Sequence, residues 1–237
     1  PDFVINASAW TNVPGAEDNF NEALKINSEA VGNLAFACKE YKSSFVHVST
    51  DYVFDGEKGT PYLESDICNP VNSYGKSKMY GEQKIIEAGL NDYYIFRTSW
   101  LYSQYGKNFV KTIIKRALKG EKSSITNDQF GSPTFAGDLA GAISSLTLNP
   151  PTPGIYNFSN SGITTWYEFG KEIYKLIGAD ENLVEPRETE VSELRRPKHS
   201  PLNLEKWIGT NLYEVRTWQR SLKRELDSIV TSVRDED

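Results

Sequence analysis

The chain has 237 residues, with 26 Lys and Arg against 32 Asp and Glu and a formal charge of −6 at pH 7, enough length for one α/β domain or two small ones. The acidic balance supplies no broad phosphate-neutralising surface, so no nucleic-acid partner is expected, and no apolar run reaches the ~18–20 residues of a membrane span. Two cysteines, Cys38 and Cys68, exclude a disulfide framework, and His47 and His199 show no ligand spacing that would call for a metal.

Phe3-Val4-Ile5-Asn6 reads as a short buried strand running into the small-residue loop Ala7-Ser8-Ala9. From about Ala16 to Tyr41 apolar residues recur at helical spacing, with Gly32 and Asn33 weakening the pattern without ending it. Ser44 to Ser49 is the next strand, followed by a turn-rich segment marked by Asp55-Gly56, Gly59-Thr60-Pro61 and Asn69-Pro70. A helix is expected from Tyr74 to about Glu87, a strand from Tyr93 to Phe96, and a helix from Asn108 to Leu118 that Gly120 stops. A small-residue helix then runs from Phe135 to Leu146. Alternating strands and helices imply βαβ units and a mainly parallel, doubly wound sheet.

The composition shifts at Asn149-Pro150-Pro151-Thr152-Pro153-Gly154. Beyond it lie a strand at Ile155–Phe158, a capping box at Thr165–Glu168 opening a helix to about Ile177, an irregular polar stretch from Glu185 to Pro201, and a last helix near Trp218 to Val230. The expected division is residues 1–149 as a dinucleotide-binding domain and 150–237 as a smaller α+β lobe, with the chain free to cross between them. The opening Pro1-Asp2-Phe3, without an initiator Met or a leader, reads as a record that starts inside a longer polypeptide.

The chemistry concentrates in Ser49-Thr50-Asp51-Tyr52 at a strand end and Tyr74-Gly75-Lys76-Ser77-Lys78 at a helix start. Tyr74 and Lys78, four apart, lie on one helical face. A phenol near an ammonium can pass a proton to or from an alcohol or ketone oxygen, and the Thr50 hydroxyl can hold that same oxygen at the carboxyl edge of the sheet. Tyr-x-x-x-Lys also arises by chance on any amphipathic helix; the preceding Ser-Thr strand end is what gives it weight.

The strings Val4–Thr11, Val48–Gly56 (VSTDYVFDG), Tyr74–Lys78 with Gly81-Glu82, Phe96–Tyr102 (FRTSWLY), Asn127–Thr134 (NDQFGSPT), Gly162–Tyr167 and Arg195-Arg196-Pro197, in this order, cover nearly the whole chain. With them the chain resembles the extended short-chain dehydrogenase/reductases, and within these the dTDP-4-dehydrorhamnose reductases. The resemblance implies a Rossmann-like doubly wound domain with a nucleotide-sugar lobe. It implies reduction of dTDP-4-dehydro-L-rhamnose to dTDP-L-rhamnose with NADPH or NADH. Two departures stand out: no G-x-G-x-x-G occurs, so the sheet is expected to lack its first strands and glycine-rich turn, and Pro14 stands where relatives carry an acidic residue. The 237 residues alone are accordingly expected to be weak with NAD(P)H and prone to associate along the flank of the first strand.

By resemblance, Tyr74 donates the proton, Lys78 bonds the nicotinamide ribose and lowers the Tyr74 pKa, and Thr50 orients the ketone. Ala7, Ser8, Ala9, Ser49, Arg97 and Thr98 join Tyr74 and Lys78 along the cofactor. Thr11, Thr50, Asp51, Tyr52, Trp100, Asn127, Gln129, Arg195 and Arg196 fall to the dTDP-sugar. For several the bland reading stands beside this one: Trp100 as core, Gly131 and Pro133 as a plain turn, Arg195-Arg196 as a solvated pair. Trp166, Tyr167, Trp207 and Trp218 read as packing. A cytoplasmic setting and no membrane partner are expected, with a homodimer left open. Two other functions fit the same fold: a non-catalytic cofactor-binding subunit like methionine adenosyltransferase β, and a nucleotide-sugar epimerase or dehydratase. The Thr50, Tyr74, Lys78 set favours the reductase over the first. Asp51 as the sole acidic neighbour of Thr50 disfavours the second.

Overall fold

The computed structural model describes residues 1–190 and 194–235. In chain order the elements are β1 (Phe3–Asn6), α1 (Val13–Asp18), α2 (Phe20–Leu24), a π-turn (Lys25–Glu29), α3 (Ala30–Tyr41), β2 (Ser44–Thr50), α4 (Ser73–Glu87), β3 (Tyr93–Thr98), β4 (Leu101–Tyr102) and α5 (Phe109–Leu118). They continue as β5 (Ser123–Thr126), β6 (Phe130–Gly131), β7 (Thr134–Phe135), α6 (Ala136–Leu148), β8 (Gly154–Asn157), β9 (Thr164–Thr165), α7 (Trp166–Leu176), β10 (Val184–Arg187), α8 (Glu205–Ile208) and α9 (Trp218–Arg234).

The chain divides into two compact units whose segments interleave: Pro1–Thr98, Ala142–Phe158 and Leu194–Tyr213 in the first, Ser99–Gly141, Ser159–Glu193 and Glu214–Asp237 in the second. The boundary expected at 149/150 therefore falls inside the first unit. Proline and glycine mark a local rigid turn there, and burial, which decides the division, follows contacts that composition does not record.

The first unit is built on an all-parallel sheet of order β1-β2-β3-β8, with Asn6 opposite His47, and Thr50 opposite Thr98. Helices α3 and α4 cover it through a core of Val31, Ala35, Cys38, Phe45, Ile85, Leu90 and Ile95. The helical pattern expected from Ala16 to Tyr41 is broken at Asn19 and carries the π-turn, because Asn27 is wholly buried there and its side chain bonds both the N–H and the carbonyl of Trp10. Gly81 lets α4 press against that turn; a Cβ at this position would lie 2.1 Å from the Asn27 carbonyl oxygen.

The second unit packs α5, α7 and α9 around Val110, Ile114, Ile125, Phe169, Ile173 and Leu222. Its β5 pairs in parallel with β10, so the stretch expected to be irregular from Glu185 begins as a strand. That strand was hidden by its composition, since Val184-Glu185-Pro186-Arg187 alternates weakly and carries a proline. The buried Asp138 carboxylate takes Asn160, Ser221 and Arg216, tying the start of α6 to α9. Among the described residues no helix is long and apolar enough to cross a membrane, and no cluster of His, Cys, Asp and Glu is placed to hold a metal.

Candidate active site

Thr50 ends β2, and Tyr74 and Lys78 stand on the first turns of α4. The start of that helix is pinned twice. Asn72 caps it by accepting from the Gly75 N–H at 2.8 Å, and Glu17 accepts from both the N–H and the hydroxyl of Ser73 at 2.7 Å. Gly75 brings the helix end onto the turn after β2: a Cβ there would meet the Tyr52 carbonyl oxygen at 2.1 Å. Tyr74 is thereby set beside Thr50 and edge-on to Tyr52, whose ring centroid lies 5.8 Å away.

Burial pushes the Tyr74 phenol up to about 12; the hydrogen bond of Thr50 works against this and the Asp51 charge adds to it. Lys78 stands one turn further along the same helix. Its Nζ is engaged elsewhere, donating to the Val48 carbonyl at 2.6 Å and meeting His47 Nε2 at 3.2 Å. Burial brings Lys78 down to about 8, with Glu82 pulling the other way. The phenol carries its proton at neutral pH, the state from which it can donate, while burial makes it the weaker acid.

Asp51 is almost fully buried, and burial pushes its carboxyl up to about 7 against the hydrogen bonds it accepts from Ser200 at 2.6 Å and Thr50 at 3.2 Å. Ser200 belongs to the segment that carries Arg195 and Arg196. That segment is tied to α4 by the Asn72 side chain, which donates to the Arg195 carbonyl at 3.0 Å. The Arg196 charge acts on the Tyr52 phenol, whose pKa burial and the Asp51 charge raise. Both arginine side chains are exposed in the same unit as Thr50 and Tyr74.

Two residues expected along a cofactor are occupied. Arg97 is buried and forms a forked pair with Glu82, Nη2 to Oε2 at 2.6 Å and Nε to Oε1 at 3.0 Å, while Nη1 and Nη2 also bond the Glu64 carbonyl and Cys68 Sγ. Ser49 donates to the same Glu82 carboxylate at 2.5 Å. These side chains hold β2, β3 and α4 together, and their hydroxyl and guanidinium are spent doing so. Thr98 differs: its Oγ1 is buried with no hydrogen-bond partner among the described residues. Ala7 and Ser8 are exposed at the carboxyl end of β1, with Ala9 half-buried and Thr11 exposed beyond them.

Trp100, Asn127 and Gln129 belong to the second unit. Trp100 takes a left-handed backbone conformation at φ 47° and stacks on Trp166 with centroids 3.6 Å apart, so it carries both a packing role and a strained placement. Asn127 accepts from Thr165, and Gln129 donates to Thr189. Asn127 also lines a cavity of about 340 Å³ with Asp128, Pro186, Arg187 and Glu188. Trp166 packs against the core as expected, as does Tyr167, and Trp207 and Trp218 are buried.

Sequence reasoning gave no site role to Asn6, Glu17, His47 or Ser200, which touch Lys78, Ser73 and Asp51 directly or through one partner. The available signal was His47, a polar residue in the apolar run Phe45-Val46-His47-Val48.

Comparison with known proteins matches the chain nearly end to end. The family model described as the RmlD substrate binding domain matches residues 1–231. A probable dTDP-4,6-dihydroxy-2-methyloxan-3-one 4-ketoreductase of Streptomyces antibioticus is 36% identical, over 98% of this chain and 79% of its own length. The dTDP-4-dehydrorhamnose reductase of Escherichia coli is 35% identical over 98% of this chain and 81% of its own. The crystal structure of dTDP-4-dehydrorhamnose reductase from Bacillus anthracis in complex with NADP superposes with a TM-score of 0.89 at 36% identity, covering 95% of this chain and 79% of that one. A strand-end threonine, a glycine-seated Tyr-x-x-x-Lys helix and a match running nearly end to end have one common source: the chain belongs to the RmlD substrate binding domain family.

Proposed function

We propose that the chain reduces the 4-keto group of a dTDP-linked 6-deoxy sugar, converting dTDP-4-dehydro-L-rhamnose to dTDP-L-rhamnose in nucleotide-sugar biosynthesis with NADPH or NADH. The observation that carries this is the pairing of Thr50 with a Tyr74 phenol that keeps its proton, at the carboxyl edge of a parallel sheet. Relatives named for reduction of dTDP-keto sugars support it.

The residues fit the nicotinamide end of a dinucleotide. Among the described residues the buried Thr98 hydroxyl has no hydrogen-bond partner, Lys78 brings an amino group to the Val48 carbonyl near the end of β2, and Ala7 to Ala9 form a loop with small side chains. Lys78 would hold the nicotinamide ribose, Thr98 the nicotinamide end, and Ala7, Ser8 and Ala9 the span leading to it. When bound, a reduced nicotinamide supplies the hydride. The chain's own part is the oxygen: Thr50 orients the ketone, and Tyr74 gives its proton to the sugar O4 as negative charge develops there. Asp51 and Tyr52 border the sugar, and Arg195 and Arg196 supply positive charge for its diphosphate. Thr11 adds a further contact to the nucleotide-sugar from the same unit in this reading.

Tyr74→Phe tests the assignment. It should lower kcat by about 10²–10⁴ while leaving the urea midpoint nearly unchanged, because the ring stays and only the proton donor goes. A Phe variant that turns over dTDP-4-dehydro-L-rhamnose at close to the parent rate, with the chemical step limiting, would remove Tyr74 from the role.

A further inference from the structure

The segment that carries Arg195 and Arg196 lies as a strap over the turn-rich stretch after β2, and its two ends are fixed by different means. At the far end the backbone is paired. The Tyr62 N–H donates to the Pro201 carbonyl at 2.8 Å, the Asn203 N–H donates to the Tyr62 carbonyl at 2.8 Å, and Leu202 is buried with Val53, Phe54 and Tyr62. At the near end the Arg195 carbonyl accepts from Asn72 Nδ2, while Oδ1 of the same amide caps α4. Between them Pro197 and Lys198 rest on the backbone of Gly56, which takes φ 83°; a Cβ there would stand 2.5 Å from the Lys198 nitrogen.

Ser200 adds a side-chain bond between these anchors. Its buried hydroxyl donates to Asp51 Oδ2 at 2.6 Å, and the other oxygen of that carboxylate accepts from the Thr50 hydroxyl at 3.2 Å. Asp51 is 1% exposed, so an oxygen that loses its donor there is not resupplied by bulk water. Relief comes only if the strap moves and admits water. Arg195 and Arg196 stand five and four residues before Ser200, with their side chains exposed. Arg196 is near enough for its charge to act on Tyr52, the residue after Asp51.

We propose that Ser200 is a positioning residue of the site: its bond to Asp51 sets where the strap presents Arg195 and Arg196, and so sets their grip on a nucleoside diphosphate. The strap and the Thr50 hydroxyl thereby rest on one carboxylate. This inference rests on the reading that the two arginines meet the diphosphate of a dTDP-sugar, and its test separates the two.

The probe is dTDP, titrated calorimetrically into the full chain and its variants. Ser200→Ala should weaken dTDP binding about tenfold. Replacing both arginines, Arg195→Gln with Arg196→Gln, weakens it separately. Adding Ser200→Ala to that pair should cost less than about twofold more, because the strap then has no charge to misplace. A tenfold loss in both backgrounds, or no loss in the parent, overturns the proposal. The strap itself is read by hydrogen exchange of the peptide 194–203, which should exchange about tenfold faster in Ser200→Ala while the amides of β3 keep their protection. Equal exchange in variant and parent overturns the proposal whatever dTDP does, and so does faster exchange throughout the chain, which would make Ser200 a general stabiliser. A parent chain that binds no dTDP removes the diphosphate reading, and the exchange measurement then decides the Ser200 anchor alone.

Discussion

The two halves of α4 carry buried charge in opposite ways. Toward its carboxyl end, Glu82 receives the Arg97 fork and the Ser49 hydroxyl, and each of its oxygens has a charged or strongly polarised donor. One turn earlier, Lys78 has a carbonyl and an imidazole for partners, and the neighbouring Tyr74 and Asp51 are driven from their ordinary ranges by burial. A saturated cluster is a joint between elements, whereas groups buried short of saturation have protonation states poised to change. Similar residue types in one helix thus divide into scaffold and chemistry according to how completely each is satisfied.

The comparison breaks most visibly at the joint. Arg97→Leu leaves the Glu82 carboxylate buried without its cation, and should cost about 3–5 kcal/mol of stability by urea unfolding. A loss below ~1 kcal/mol would mean that water reaches Glu82 and that the joint is not dry. The next effect is steric. Gly81→Ala puts a methyl group where the Asn27 carbonyl stands, 2.1 Å from its oxygen, and should cost about 1–3 kcal/mol as α4 lifts from the π-turn. Equal urea midpoints for Gly81→Ala and the parent would show that the helix does not sit that close.

A pH-dependent effect sharpens the contrast at the chemical end. Asp51 is raised to about 7 in the folded chain from 3.8, so the native state binds its proton more tightly than the unfolded chain does. Its contribution to stability is present in full below pH 3.8 and is lost as the pH rises through 7. Asp51→Asn cannot titrate, so the variant should gain on the parent across that window, with a flat difference above and below it. A difference that stays constant from pH 4 to 8 would place Asp51 in contact with water.

Much of this was legible in the chain. The strand at Phe3–Asn6, the Tyr74 helix and the last helix follow from apolar spacing, and the starts of α5 and α7 from the caps Asn108 and Thr165. Thr50, Tyr74 and Lys78 could be named because their chemistry depends on a local spacing and a strand end. Arg97 and Ser49 were assigned outward because their motif neighbours bear on the site. Their true partner, Glu82, lies 15 residues from Arg97 and on another element, and no periodicity reports such a pairing. The π-turn was invisible for a similar reason: Asn27 reads as an ordinary helical residue until Trp10 and Ser77 come into range of its amide.

By itself, the sequence determined the alternation of strands and helices, the acidic balance, the family strings and the candidate proton-transfer residues, all of which rest on short-range pattern or residue type. Only the tertiary structure decided how the segments interleave into two units, which polar side chains are spent on one another, and what proton state burial selects. Those depend on desolvation and on hydrogen-bond direction, and both are set by groups distant along the chain, as Ser200 is from Asp51 and His47 from Lys78.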